Sequence, residues 1–181
     1  MLLAIKNSIP CKIVASLHIN RCDCLVVDVM DSGSEFTRYC LVYRPPDTNI
    51  MDSIELYNVI FDHLKNTKAY VLFGDFNLPD ISWEDLTARL GVSREFLSLC
   101  YKFGANQLVD FPTRLDKQLD LILCPDKNAL ESIYCEAPFC DSDHVSIFVV
   151  CIKVQKKRNM LSTNLALREL IMLLSMLSWL L

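Results

Sequence analysis

Short apolar runs alternate along the chain with turn-forming residues, and most of these runs predict β-strands. They are rich in β-branched and aromatic side chains, which pack well on a pleated sheet. Two longer stretches instead repeat apolar positions every three or four residues, which is typical of a helix with one buried face. Because helix and buried strand follow each other, we expect an α/β fold in which helices cover the sheet. The predicted strands are residues 2–6, 12–17, 24–30, 35–43, 70–73, 107–111, 119–123, 132–135 and 145–152, and the predicted helices are 53–65 and 93–103.

Capping residues mark the ends of both predicted helices. Asp52 is the expected N-cap of the first helix, because Glu55 follows three positions later in a capping-box arrangement. Ser93 is the expected N-cap of the second helix, and Gly104 is expected just beyond its last turn.

The stretch 70–77 runs from an apolar strand directly into Gly74-Asp75-Phe76-Asn77. Glycine allows the backbone to turn sharply at this point. Asp75 and Asn77 lie two positions apart, so in an extended segment both side chains leave on the same side. A carboxylate beside a carboxamide suits an oxygen-liganded cation with a phosphate next to it. The alternative interpretation is a simple Asx-rich turn that closes the strand.

Composition indicates one globular domain in a reducing compartment. The chain has 181 residues, 52% of them hydrophobic and 22% charged, which is enough for a real core. A net charge of −4 argues against a general polyanion-binding protein. Neither the nine cysteines nor the three histidines have the spacing of a zinc site. We therefore expect reduced thiols in an intracellular protein, nuclear or cytoplasmic and not secreted.

The sequence changes character after residue 152 and predicts two regions. Residues 1–152 form the domain, whereas residues 153–181 form a tail that is first basic and then leucine-rich. The apolar part of the tail is shorter than the roughly 20 residues that span a bilayer, so no stable membrane insertion is expected. A hydrophobic helix packed on the domain, an appendage without function and a membrane-surface anchor are the three interpretations of this tail.

Polar residues stand at the ends of several predicted strands. Each alone has a plain structural explanation; His144, for example, could be a hydrogen-bonded core histidine. Asp120 is harder to explain in this way, because a buried carboxylate is costly unless it is paired or ligated. Together, acid, amide and imidazole groups indicate binding of a divalent cation and cleavage of a phosphate ester. The sites are Tyr43, Asp75 with Asn77, Thr113-Arg114, Asp120, and Asp143-His144.

The order of these motifs resembles the endonuclease/exonuclease/phosphatase superfamily. More closely, the chain resembles the apurinic-endonuclease-like domain of non-LTR (LINE-type) retrotransposons, over roughly residues 1–152. The motifs that carry the resemblance are Tyr43-Arg44-Pro45-Pro46, Gly74-Asp75-Phe76-Asn77, Asp110-Phe111-Pro112-Thr113-Arg114, Leu119-Asp120-Leu121-Ile122 and Ser142-Asp143-His144.

The resemblance implies a catalytic role for five of these residues. Asp75 would position or deprotonate the attacking water, and Asn77 would hold that water or the scissile phosphate. His144 would contact the phosphate, while Asp120 accepts its other N–H and fixes the imidazole tautomer. Tyr43 would donate a hydrogen bond to a phosphate oxygen.

The resemblance also implies a cofactor, partners and an architecture. Asp143 would help to bind Mg²⁺, with Mn²⁺ as the alternative ion, and Thr113 and Arg114 would approach the DNA. DNA is then the substrate, and a reverse transcriptase domain is the partner in the parent element. The implied fold is DNase I-like, an α/β four-layer sandwich of two mixed β-sheets flanked by helices.

One departure from the family pattern changes the expected activity. The family places an asparagine and a metal-binding glutamate before the region where this chain opens. We therefore expect an N-terminally truncated domain that lacks the first part of one sheet and is impaired in catalysis. The leading hypothesis is a Mg²⁺-dependent DNA-nicking endonuclease domain. The alternatives are a non-catalytic remnant of that domain and a phosphatase of the same superfamily.

Overall fold

A computed structural model describes residues 1–30 and 35–151. Residues 31–34, between two predicted strands, and the tail predicted at residues 153–181 lie outside the described residues. The strands are β1 (Cys11–Ile19), β2 (Cys22–Met30), β3 (Phe36–Tyr43), β4 (Tyr70–Asp75), β5 (Ile81–Ser82), β6 (Thr87–Ala88), β7 (Asn106–Gln107), β8 (Asp120–Cys124), β9 (Leu130–Glu136) and β10 (Ser146–Cys151), and the helices are α1 (Ile50–Leu64) and α2 (Gly91–Lys102).

Six strands form one mixed sheet in the order β1-β2-β3-β4-β8-β7. Strands β3 and β4 pair in parallel, and α1 makes the crossover that a parallel pair requires. The other pairs in this sheet are antiparallel. As a result, the end of β3, the end of β4 and the start of β8 meet at one edge, where Tyr43, Asp75 and Asp120 lie.

The central strand β4 is buried on both faces and separates two apolar cores. Tyr70 and Leu72 face the core that includes α1 and α2. Val71 and Phe73 face the opposite core, to which β10 contributes Ile147 and other residues. Alternate side chains of a strand point to opposite faces, so a strand covered on both sides reads as a continuous apolar run.

The predicted α/β class is confirmed, with differences in the layers and at the edges. The resemblance implied two mixed sheets, but beside the six-stranded sheet the described residues form two antiparallel pairs, β9 with β10 and β5 with β6. The strand predicted at residues 2–6 is wrong, since residues 1–10 form no strand, although Leu3 packs against the core that contains Val71 and Phe73. No helix in the described part of the chain is both long and apolar enough to cross a membrane.

Both helices begin earlier than the sequence predicted. The N-cap of α1 is Asn49, whose side chain accepts the backbone N–H of Asp52, so Asp52 lies inside the first turn. The predicted N-cap Ser93 also lies inside its helix. Its hydroxyl donates to Asp80, whose carboxylate also accepts the backbone N–H of Leu90. Asp80, a loop residue ten positions before Leu90, thus provides the acceptor for the free N–H groups at the start of α2. Short-range capping rules do not anticipate this contact.

Candidate active site

The strand register brings three of the predicted site residues into one row. Tyr43 pairs directly with Asp75 across β3 and β4, and Asp75 pairs directly with Asp120 across β4 and β8. Directly paired residues project from the same face of a sheet. His144 reaches this row from the loop before β10, and its ring nitrogen Nδ1 lies within hydrogen-bonding distance of Asp120. Residues far apart in sequence therefore form one polar cluster at the sheet edge.

Gly74 allows the backbone of β4 to approach β3 closely next to this row. It has a φ of +139°, which L side chains rarely adopt. A Cβ added at this position would lie 1.9 Å from the carbonyl oxygen of Val42. No larger residue fits without separating the two strands, and the spacing between Tyr43 and Asp75 depends on that separation.

Asn77 is folded back onto Asp75. Its φ of +47° lies in the left-handed region, which asparagine tolerates better than most residues. The backbone N–H of Asn77 donates to Asp75 Oδ1 at 3.0 Å, and its Nδ2 donates to Asp75 Oδ2 at 2.8 Å. Nδ2 also donates to the carbonyl oxygen of Arg44 at 2.9 Å. These bonds fix the carboxylate of Asp75 and the carboxamide of Asn77 relative to each other.

Asp120 and His144 form a buried pair. Asp120 Oδ2 lies 2.7 Å from Nδ1 of His144, and both side chains are less than a tenth exposed. A carboxylate at this distance holds the proton on Nδ1 and leaves Nε2, the other ring nitrogen, available for a further contact. Nε2 lies 3.8 Å from Oδ1 of Asp143. The structure thus places Asp120 and His144 in the arrangement expected from the sequence.

Burial and like charge make the cluster electrostatically unusual. Burial and the nearby Asp120 raise the pKa of Asp75 to about 7, against the opposing effects of His144 and Asn77. For His144, burial lowers the pKa, but the hydrogen bond and charge of Asp120 outweigh it, so the pKa is raised. The pKa of Tyr43 is also raised, by burial and then by Asp75, so its hydroxyl keeps its proton at neutral pH.

The cluster can hold a divalent cation. Asp75, Asp120 and His144 each offer a ligand atom, and these atoms all lie within 4.8 Å of one another. Oxygen-rich donor sets suit Mg²⁺ and Mn²⁺. Burial is the main cause of the raised pKa of Asp75 and the like charge of Asp120 adds to it, so positive charge at this point would be favourable. A cation would supply that charge, so the residues present fit the ion that the family resemblance implies.

The structure separates the two residues predicted to bind DNA. Thr113 is fully buried, and its hydroxyl oxygen accepts the backbone N–H groups of Leu119 and Asp120, both at 3.0 Å. Its carbonyl oxygen accepts the N–H of Val145. Thr113 therefore joins the start of β8 to the loop that carries His144, and its hydroxyl does not reach the surface.

Arg114 instead lies at the rim of the cluster. Its Nη2 lies 2.5 Å from Oδ2 of Asp143, and both side chains are about half exposed. Asp143 is not part of the buried group of possible ligands formed by Asp75, Asp120 and His144. The metal role expected for Asp143 stays a prediction.

Sequence reasoning missed the part played by Arg44, which it quoted only as a member of a motif. This arginine is 3% exposed, and its guanidinium donates to the carbonyl oxygens of Phe76 and Asn77, each at 3.2 Å. The available signal was its position between the end of an apolar strand and Pro45, where a charged side chain is buried only if it finds hydrogen-bond acceptors.

A model of the family described as endonuclease-reverse transcriptase matches residues 37–148. The chain belongs to this family. The match includes all eight residues singled out from the sequence, from Tyr43 to His144. No curated protein matches the sequence significantly.

Solved structures of the endonuclease/exonuclease/phosphatase superfamily resemble the fold. A humanized TDP2 from D. rerio matches with a TM-score of 0.51 and 14% identity, over 77% of this chain and 66% of that one. A 3′ phosphatase NExo from Neisseria matches with a TM-score of 0.49 and 18% identity, over 70% of this chain and 64% of that one. A mannosyl-6-phosphatase from Bacteroides thetaiotaomicron matches with a TM-score of 0.46 and 12% identity, over 71% and 55%.

The likeness to the TDP2 structure confirms the DNase I-like fold that the family resemblance implied. At such an identity it shows the fold alone. The chain spans less than two thirds of the length of the Neisseria and Bacteroides proteins.

Proposed function

We propose that this chain is the endonuclease domain of a non-LTR retrotransposon and hydrolyses phosphodiester bonds in DNA with Mg²⁺, or with Mn²⁺ in its place. The observation that carries the proposal is the buried cluster of Asp75, Asp120 and His144, whose possible ligand atoms lie within 4.8 Å of one another. The family description joins an endonuclease to a reverse transcriptase, which supports a reverse transcriptase domain as the partner in the parent element.

Asp75 is the group best placed to orient and deprotonate the attacking water. A general base is most effective when its pKa lies near the working pH, and the pKa of Asp75 is raised to about 7. The two hydrogen bonds from Asn77 hold the carboxylate in one orientation. Asn77 thereby contributes to catalysis through Asp75 as well as through any contact of its own with the phosphate.

His144 and Tyr43 are the donors for the phosphate oxygens. The raised pKa of His144 favours its protonated form, and Asp120 holds Nδ1 so that the Nε2–H is the remaining donor. Tyr43 carries its phenolic proton at neutral pH, and its raised pKa strengthens that preference. Donors fixed in advance around a site stabilise the charge that develops on the phosphate during in-line attack.

A bound divalent cation would supply further positive charge to the phosphate and to the attacking oxygen. Asp75 and Asp120 are the described carboxylates that would hold it, with Asp143 as the candidate at the rim. His144, as a donor through Nε2 and a partner of Asp120 through Nδ1, has no free nitrogen for the ion. Because Asp120 is already bonded to His144, we expect weak metal binding and slow turnover. A non-catalytic domain is the limiting case of this expectation.

We infer that the domain acts inside the cell, where its proposed DNA substrate is found. Cys22, Cys24, Cys40 and Cys100 are buried thiols, which is usual in reducing compartments.

A cleavage assay with two substrates tests the proposed function. The purified chain is incubated with an end-labelled DNA duplex or with para-nitrophenyl phosphate, in Mg²⁺, Mn²⁺ or EDTA. We expect metal-dependent cleavage of the duplex and little release of nitrophenol. Release of nitrophenol without cleavage of DNA would favour the phosphatase, and inertness toward both substrates in a folded protein would favour the remnant. As a control, Asp62→Ala changes an exposed residue of α1 away from the cluster, and we expect it to cleave DNA as the parent does.

A further inference from the structure

Arg44 is a buried cation without an anionic partner among its hydrogen bonds. It follows the last residue of β3 and is 3% exposed. Its Nε donates to Ser53 Oγ at 2.9 Å, its Nη2 to the carbonyl oxygen of Thr48 at 3.1 Å, and its Nη1 to two carbonyl oxygens of the 76–77 turn. Burying a guanidinium is costly, and these neutral acceptors only partly offset the lost hydration.

The bonds of Arg44 converge on the turn that carries the catalytic carboxylate. The side chain donates to the carbonyl oxygens of Phe76 and Asn77, and the backbone N–H donates to the carbonyl oxygen of Asp75 at 2.9 Å. In return, the carbonyl oxygen of Arg44 accepts Nδ2 of Asn77 at 2.9 Å. Arg44 thus contacts each residue of the Asp75–Asn77 turn from the protein interior.

This turn needs external support because Asn77 has a φ of +47°. A residue other than glycine in the left-handed region persists only where its surroundings hold it there. Asp75 bonds Asn77 from the site side, whereas Arg44 bonds it from the opposite side. Ser53 in turn fixes the guanidinium to α1, since its hydroxyl also donates to the carbonyl oxygen of Asn49 at 2.8 Å.

We propose that Arg44 is a positioning residue that holds the Asp75–Asn77 turn in its catalytic conformation. The inference rests on the proposed function only for what the positioned atoms do; the positioning itself is independent of activity. The planar fork of arginine reaches Ser53, Thr48 and the turn at the same time. Lysine cannot replace it, because a single ammonium group cannot reach all three.

Amide hydrogen exchange of the Arg44→Lys variant tests the proposal. We expect the backbone amide of Asn77, which donates to Asp75, to exchange at least tenfold faster relative to the amide of buried Leu72 in β4. If Arg44 contributed only to global stability, its replacement would raise the exchange rates of both amides together. Arg38→Lys is the matched control: Arg38 lies at the other end of β3 and bonds Asp28 and a backbone carbonyl.

Activity provides the second measurement. In a parent that cleaves DNA, Arg44→Lys is expected to lower kcat at least tenfold and to leave KM within about threefold, whereas Arg38→Lys leaves kcat unchanged. An inactive parent with faster exchange at Asn77 in Arg44→Lys would contradict the proposed function and support the positioning role.

An unchanged ratio of Asn77 to Leu72 exchange in folded Arg44→Lys would overturn the proposal. Should that variant not fold, Ser53→Ala replaces it, since it removes the acceptor of Nε, together with the Ser53 bond to Asn49, and leaves the other acceptors of Arg44 in place. We expect a smaller change in the same direction, and an unchanged ratio there would also overturn the proposal.

Discussion

Replacing Asp75 by asparagine is expected to stabilise the metal-free protein at pH 8 and to leave its stability nearly unchanged at pH 5. The pKa of this carboxyl rises from 3.8 in a free chain to about 7 in the fold. A group whose pKa is raised by folding binds more protons in the folded state, so stability falls as the pH rises from the unfolded to the folded pKa.

The magnitude follows from the pKa shift at about 1.4 kcal/mol per unit. Asp75 lowers the free energy of unfolding by at most about 4 kcal/mol at pH 8, but by only about 1.6 kcal/mol at pH 5. Asparagine never ionises, so it removes both losses. It has one acceptor oxygen where two hydrogen bonds from Asn77 now end, which costs about 1–2 kcal/mol. The net gain is therefore about 3 kcal/mol at pH 8 and close to zero at pH 5.

Urea unfolding in EDTA between pH 5 and pH 8 measures this difference. The raised pKa of His144 also lowers stability as the pH rises, and the charge of Asp75 is one cause of that raised pKa. The difference between the two proteins therefore measures Asp75 together with its interaction with His144. Asp62→Asn is the control, because this carboxylate is exposed and bonds only Lys65. A variant that is less stable than the parent at pH 8, or a difference that does not change with pH, would refute the reasoning.

Three further predictions concern the metal, the loop and the strand spacing. Addition of 10 mM Mg²⁺ at pH 8 should stabilise the parent by about 1–2 kcal/mol for a dissociation constant of roughly 1 mM, and should not stabilise Asp75→Asn; calorimetry with and without the ion measures this. Thr113→Val should lower the unfolding free energy by about 2–3 kcal/mol, since two buried N–H groups lose their acceptor, whereas Thr113→Ser keeps it; equal stability of the two variants would contradict this. Gly74→Ala should yield little folded protein by circular dichroism, because its Cβ would lie 1.9 Å from the carbonyl oxygen of Val42; a native spectrum and melting temperature would contradict this.

The residues of the cluster could be predicted because each interrupts a local pattern. Asp120 breaks an apolar strand, and Asp75 ends one after Gly74. Such polar residues at strand ends are visible in the sequence without any knowledge of pairing. The direct register of Tyr43, Asp75 and Asp120 then explains why residues from three strands meet.

Other features depend on contacts between distant segments and could not be derived from local patterns. The start of α2 is set by Asp80, whose carboxylate accepts backbone N–H groups nine and ten residues later in the chain. The burial of Thr113 follows from its bonds to β8, although its motif suggested an exposed position near DNA. The bonds of Arg44 to the 76–77 turn cross more than 30 positions. Short-range periodicity contains none of this information.

The measurement that tests the central claim most directly is nicking of supercoiled plasmid in Mg²⁺ by the parent, Asp75→Ala and His144→Ala. The account predicts slow conversion of supercoiled to open circular DNA by the parent. It also predicts a loss of about 100-fold or more in both variants, because each removes a group that acts in proton transfer or charge stabilisation. Undiminished nicking by either variant, or no nicking by a parent shown to be folded, would contradict the claim that this cluster cleaves phosphodiester bonds.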